Sequence, residues 1–270
     1  MNRIAFTVGN IKIYWYAIMI CIGMLVAIFL GCKEAKRQKI NMDFFINLIF
    51  YMLLFGILGT RLYYVLFNLD YYLQNPVDIF KVWNGGLAIH GGIITGIIVI
   101  IVYTKKYRVN TIKILDISAV SVIIAQAIGR WGNFFNQEAF GSVVSRGFLE
   151  SLKLPKFIIE GMHINGNYYH PTFLYESVWN VLGFIILLFL RRRKYNKVGE
   201  LVGFYLCWYS LGRFFIEGLR MDSLMLGPIR IAQLVSIIGI IIGIILIIRA
   251  RRGSKFDNLY NKEEKDETRF

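Results

Sequence analysis

Cysteine, histidine and charge are all scarce in this 270-residue chain, which holds three Cys, three His and 18% charged residues. Cys21, Cys32 and Cys207 lie within or at the end of apolar runs with no paired spacing. That excludes a disulfide framework and a thiolate zinc site, and leaves them as small core residues. There is no His/Cys ligand cluster and no Gly-x-x-x-x-Gly-Lys loop, so the residues call for no metal and no nucleotide cofactor. No strong internal repeat is visible. The formal charge of +14 would suit nucleic acid, but the basic residues neither line a helix face nor interleave with aromatics. They cluster in short segments between apolar runs, where anionic membrane lipid is the natural partner and nucleic acid is not.

What the chain has in excess is apolar surface: 56% of its residues are hydrophobic and its mean hydropathy is +0.53. The excess is gathered into seven runs, Ile13–Gly31, Phe44–Leu66, Leu87–Tyr103, Ile114–Phe134, Phe173–Leu190, Leu201–Phe215 and Ile229–Ile248. Each is about 15 to 23 residues long, near the roughly 20 that a helix needs to cross a hydrocarbon core of about 30 Å. The sixth is the shortest and carries Arg213. A backbone in lipid must satisfy its own hydrogen bonds, so the runs read as helices. Ile13–Gly31 is longer than a signal-peptide core and lacks a small-x-small cleavage site, so it reads as a retained span.

Twenty Lys and Arg residues fall on one side of these runs, seven on the other, and Arg61, Arg130, Arg213 and Arg230 lie within or at the edge of a run. The asymmetry alternates without exception and predicts seven transmembrane helices with the amino terminus outside and the carboxyl terminus cytoplasmic. The expected architecture is an all-α integral membrane protein, one seven-span domain over residues 1–250 with small extracytoplasmic cap segments. Two outer segments belong to it: an interfacial arm at 68–86, rich in aromatics, and a cap at 137–170. A charged cytoplasmic tail at 251–270 reads as unstructured.

Three arginines stand well inside apolar sequence in runs that point outward: Arg61 in GTRLYYVLF, Arg130 in GRWGNFFNQE and Arg213 in GRFFIEGLR. A mid-bilayer arginine costs about 2.5–3.5 kcal/mol on insertion scales. Each alone could snorkel to the helix end. Three at one depth point to a phospholipid headgroup pocket, because guanidinium forks take phosphate bidentately. Asn133 follows Arg130 by three residues, while Glu217 and Arg220 follow Arg213 by four and seven. Glu217 could instead be a plain ion-pair partner, Glu138 a solvated carboxylate and Tyr16 a belt aromatic. His90, in GGLAIHGG, is either a packed hydrogen-bonding residue or a base at the same depth as the arginines. His170 opens the fifth run beside a helix-starting proline.

Taken together, GGLAIHGG, GRWGNFFNQEAFG, HPTFLYES and GRFFIEGLR resemble the bacterial prolipoprotein diacylglyceryl transferases, in order, from about Tyr14 to Ile248. The resemblance implies a seven-span enzyme of the bacterial plasma membrane whose active site faces the extracytoplasmic side. It implies transfer of the diacylglyceryl group of phosphatidylglycerol to the lipobox cysteine of a prolipoprotein signal peptide, forming a thioether and releasing glycerol phosphate. By motif, it gives phosphatidylglycerol binding to Arg130, with Asn133, Glu138 and Gly141 beside it. Arg213, Glu217 and Arg220 match the carboxyl-terminal arginine motif, His90 a histidine argued to be the base, and Tyr16 an important aromatic. Arg61 joins the substrate-binding set on its depth alone. A transporter or flippase of a phosphate-bearing substrate would use the same arginines. It would also need inner charged pairs beyond Asp116 and an inverted repeat, neither of which is seen.

Overall fold

The computed structural model describes residues 2–9, 11–252 and 257–261. The helices are α1 (Trp15–Arg37), α2 (Met42–Leu66), α3 (Leu69–Gln74), α4 (Ile89–Lys106), α5 (Thr111–Asn136), α6 (Arg146–Ser151), α7 (Lys156–Gly161), α8 (Thr172–Arg192), α9 (Glu200–Leu219) and α10 (Ile231–Arg251). Six of them, α1, α2, α4, α5, α8 and α10, are long and apolar enough to cross a membrane. The seventh expected span corresponds to α9, which is long enough but carries Glu200, Arg213 and Glu217 along its length.

Each long helix continues beyond its apolar run at the Lys/Arg-rich end. There α1, α4, α8 and α10 place basic residues in the last turn, where cations meet the negative end of the helix dipole. At the same end Asn41 and Asn110 accept hydrogen bonds from the first backbone amides of α2 and α5.

Among the described residues, short strands occur ahead of α1 and in the connections between helices. Strands β1 (Ile4–Val8) and β2 (Ile11–Tyr14) form a hairpin, so Ile13 and Tyr14 pair in a strand and the first helix begins at Trp15. In the cap, β3 (Val143–Val144), β5 (Asn167–Tyr169) and β4 (His163–Ile164) form an antiparallel sheet in that spatial order. A last hairpin joins β6 (Met225–Leu226) to β7 (Ile229–Arg230). Strands of two or three residues give no readable alternation, so they carry no sequence signal.

The chain divides into two compact units that do not follow sequence order. One comprises the described residues of Met1–Gly31 and Leu115–Lys262, and the other those of 32–114. In the second unit α2 and α4 lie side by side, with the Ala88 amide donating to the Thr60 carbonyl at 3.1 Å. Arg61 is buried there and holds the 68–86 arm. Its Nε donates to the Ile79 carbonyl at 2.9 Å, one terminal nitrogen to Gly85 and Gly86 at 2.8 and 3.0 Å, and the other to Asp78 at 2.5 Å. The guanidinium also lies 5.2 Å from the Tyr72 ring centroid. With its fork on four backbone carbonyls, Arg61 anchors the arm at the depth where the sequence expected a substrate-binding residue.

In the first unit, α8 and α9 are joined by a reciprocal tryptophan pair. The Trp179 indole donates to the Trp208 carbonyl at 2.8 Å and the Trp208 indole to the Trp179 carbonyl at 2.9 Å, with ring centroids 4.3 Å apart. Gly183 faces Trp208 and Gly212 faces Trp179, and a Cβ at either would strike the opposing indole. At the basic end of the same unit, buried Asp116 of α5 accepts from the Gly199 and Val202 amides at 2.6 and 2.8 Å, which satisfies two orphan donors at the start of α9.

Part of the tail is ordered against this end. The Val198 amide donates to the Asn258 carbonyl at 2.9 Å and the Tyr260 amide to the Asn196 carbonyl at 2.8 Å, and Tyr260 is fully buried. The expectation of an unstructured tail is thus corrected for 257–261; residues 253–256 and 262–270 lie outside the described range.

Candidate active site

The site is built where α5, α8 and α9 meet at the ends away from the basic loops. Glu176, in the second turn of α8, is 4% exposed, and its two carboxylate oxygens go to different arginines. One oxygen lies 2.7 Å from Arg130 of α5 and the other 2.8 Å from Arg213 of α9. Arg213 reaches with its second terminal nitrogen to Glu217, one turn on, at 2.5 Å. Glu217 lies 3.8 Å from Arg220, which in turn grips Asp222 through two parallel bonds of 3.0 Å. The carboxylates of Glu176 and Glu217 are almost fully buried, whereas Arg130, Arg213 and Arg220 keep 20%, 16% and 13% of their side chains accessible. The acids are therefore the enclosed members of the network and the arginines its more accessible ones. Burying an isolated carboxylate is costly, and pairing each with two arginines offsets that cost.

This arrangement separates the expected site residues. Arg130, Arg213, Glu217 and Arg220 are brought into one chain of charges. Glu138 is not Arg130's partner: it accepts from the Asn133 amide at 2.9 Å. Both sit at the turn that ends α5, where Gln137 and Ala139 adopt left-handed φ of 52° and 57°. The Thr172 hydroxyl donates to the Ala139 carbonyl at 2.5 Å and the Gln137 side chain to the Gly161 carbonyl at 3.0 Å, which holds that turn. Tyr16, in the first turn of α1, lies within electrostatic reach of both Glu138 and Arg130.

Gly141 does not present its amide to a ligand, because that amide donates to the His170 carbonyl at 3.1 Å. A Cβ here would stand 2.6 Å from His170 Cβ and 3.1 Å from the Leu219 carbonyl, so only glycine lets the cap strand pass the end of α9. Gly141 also bridges to Arg220, which has already left the helix as its C-cap. Partial burial pulls the His170 imidazole below its ordinary range, and its Nδ1 lies 3.1 Å from the Tyr175 hydroxyl. Burial alone would raise Asp222, but the hydrogen bond and charge of Arg220 outweigh it and hold the carboxyl below its usual range.

His90 belongs to the other unit, in the first turn of α4. Its side chain is exposed, its ring centroid is 6.0 Å from that of Tyr63, and it has no hydrogen-bond partner among the described residues.

Glu176, Asp222 and Tyr209 were not among the expected site residues. Tyr209 lies within hydrogen-bonding reach of Arg130. Glu176 had a readable signal: a carboxylate inside the apolar run FLYESVWN is as anomalous as an arginine there. Asp222 and Tyr209 had none, being ordinary residues of a loop and a helix.

The family model described as prolipoprotein diacylglyceryl transferase matches residues 3–249. The chain is 53% identical over 252 residues to the phosphatidylglycerol–prolipoprotein diacylglyceryl transferases of Staphylococcus aureus strains MSSA476 and MW2, covering 93% of this chain and 90% of each relative. The same figures hold for the relative from strain JH9. A family model that spans residues 3–249, with relatives 53% identical over 93% of the chain, shows that the chain belongs to the prolipoprotein diacylglyceryl transferase family.

Proposed function

We propose that this protein is a multi-pass bacterial membrane enzyme that moves the sn-1,2-diacylglyceryl group of phosphatidylglycerol onto the lipobox cysteine thiol of a prolipoprotein. The thiolate attacks C3 of the lipid glycerol, a carbon–sulfur bond forms, and the carbon–oxygen bond to phosphate breaks with release of glycerol phosphate. The observation that carries this reading is Glu176, whose two oxygens hold Arg130 and Arg213 at 2.7 and 2.8 Å while the arginines keep an accessible face.

The departing phosphate gains charge as the bond breaks, and fixed guanidinium donors in a poorly hydrated site stabilise that charge without reorganising. Arg130 and Arg213 therefore take the larger share of the barrier. Ionising a thiol of pKa about 8.5 at pH 7 costs only roughly 2 kcal/mol, so base assistance from His90 is the smaller contribution. Glu217 and Arg220 keep Arg213 aimed. Asn133, held by Glu138 at 2.9 Å, is suited to reading the hydroxyls of the glycerol headgroup. Tyr16, near Glu138 and Arg130, is suited to border the bound headgroup.

The function is tested by incubating purified protein with labelled lipid and a lipobox peptide. Phosphatidylglycerol is expected to donate and phosphatidylethanolamine not to. Equal turnover of the two would refute headgroup reading, and no transfer from either would refute the activity.

We also read α9 as a seventh span, with the amino terminus and the arginine cluster extracytoplasmic. The Lys/Arg asymmetry of the loops supports this orientation. Single cysteines at Ser142 and Asn165, both exposed, are expected to react with an impermeant thiol reagent in intact cells, and one at exposed Lys194 is expected not to. Labelling of Lys194→Cys alone would invert the topology.

A further inference from the structure

At the end of the first unit opposite the arginine cluster lies a cavity of about 630 Å3, within the usual size range for a small-ligand site. Its wall combines Arg193, Lys194 and Lys197 of the α8–α9 loop with Arg251 of α10, against Glu200 as the acidic lining residue. Glu200 is already engaged: Arg251 Nε lies 2.6 Å from one of its oxygens. Leu190 and Ile247, near the last turns of α8 and α10, give the cavity an apolar side. Asn196 also lines it and is 3% exposed, and its side-chain amide nitrogen has no hydrogen-bond partner among the described residues. A buried donor left without a partner is rare in native structures. The loop is held in place from its other side by the tail, where Asn261 donates to the Arg191 and Arg193 carbonyls at 3.1 and 3.0 Å.

The exposed cations Arg193 and Lys194, a spare amide donor on Asn196 and an apolar flank at a helix end are the components of a site for a phosphate ester attached to a hydrocarbon. We propose that this cavity binds the phosphate group of an anionic phospholipid from the leaflet at the basic ends of the helices, with acyl chains along Leu190 and Ile247. The site takes no part in the transfer reaction; it rests on α8 and α10 being spans, not on the catalytic reading.

The test uses the full chain in phosphatidylcholine nanodiscs, with phosphatidylserine as the anionic probe. Hydrogen exchange of wild-type amides in 190–200 is expected to slow at least about threefold when phosphatidylserine is added. Absence of protection would overturn the proposal without any variant being needed. Native mass spectrometry then counts retained phosphatidylserine in wild type, in Arg193→Gln/Lys194→Gln, whose side chains are exposed, and in Asn196→Asp, which sets a carboxylate where the spare donor stands. Both variants are expected to retain at least about fivefold less, with transfer of diacylglyceryl at the arginine cluster unchanged. Equal retention in all three proteins would also overturn it. Glycerol phosphate in excess supplies the remaining arm. Failure to displace the lipid supports a phospholipid site, whereas full displacement would show that a free phosphate ester suffices and would overturn the lipid assignment. A protein with no transferase activity would still report lipid retention, so the two readings fail separately.

Discussion

Replacing Glu176 by glutamine is expected to lower transfer from phosphatidylglycerol by about a hundredfold, equivalent to roughly 2.7 kcal/mol of transition-state stabilisation. The carboxylate is 4% exposed and divides its oxygens between Arg130 and Arg213. Glutamine has one acceptor oxygen and turns an NH2 group toward the other guanidinium, so one arginine faces a donor and both lose their shared counter-charge. Removing one partner of a buried ion pair costs about 3–5 kcal/mol. Glu176→Asp keeps the charge but is one methylene too short to reach both arginines, and is expected to lose about tenfold. The measurement is transfer of labelled diacylglyceryl to a lipobox peptide, with protein amounts in the membrane matched by immunoblot. Wild-type turnover by Glu176→Gln would mean that the arginines do not need a common anchor.

The second large effect separates recognition by shape from recognition by charge. Arg130 meets Glu176 through one terminal nitrogen, whereas Arg213 places one terminal nitrogen on Glu176 and the other on Glu217, so phosphate oxygens would meet the further N–H groups of each guanidinium. Lysine keeps the charge and loses the fork. Arg130→Lys and Arg213→Lys are each expected to lose at least about tenfold, or roughly 1.4 kcal/mol. His90→Gln is expected to retain measurable activity, because thiol ionisation is the smaller part of the barrier. Undiminished rates in both lysine variants would make the arginines structural. A dead His90→Gln beside an active Arg130→Lys would reverse the ranking and make proton removal dominant.

The helices were legible because the signals behind them are long and cumulative. Six apolar runs became helices of membrane-crossing length, and the basic clusters mark the ends where the helices run on past those runs. The arginines were legible for the opposite reason, as isolated costs inside cheap surroundings. What depth could not tell was where each guanidinium spends its donors. Arg61 spends four bonds on the arm's carbonyls, Arg130 turns to Glu176 and not Glu138, and Arg220 leaves the helical face on which its spacing put it. These outcomes depend on partners far off in sequence, 46 residues away for Arg130 and Glu176, which periodicity does not register. The docking of Tyr260 was invisible for a related reason: one aromatic in a charged tail looks no different from a solvated one.

The tryptophan pair has a consequence for how the enzyme meets bilayers of different thickness. Trp179 lies one turn beyond Glu176 on α8, and Trp208 lies five residues before Arg213 on α9. Sliding one helix past the other by a turn, about 5.4 Å, would break both indole bonds together and drive each ring onto a backbone bearing a side chain. Thinner or thicker membranes ordinarily make helices tilt one by one. Here α8 and α9 are keyed to each other by an uncharged stack, so with α9 read as the seventh span they are expected to respond as a single rod. On that reading the spacing of Glu176 and Arg213 is expected to stay the same in membranes of different thickness, which uncouples headgroup chemistry from acyl-chain length.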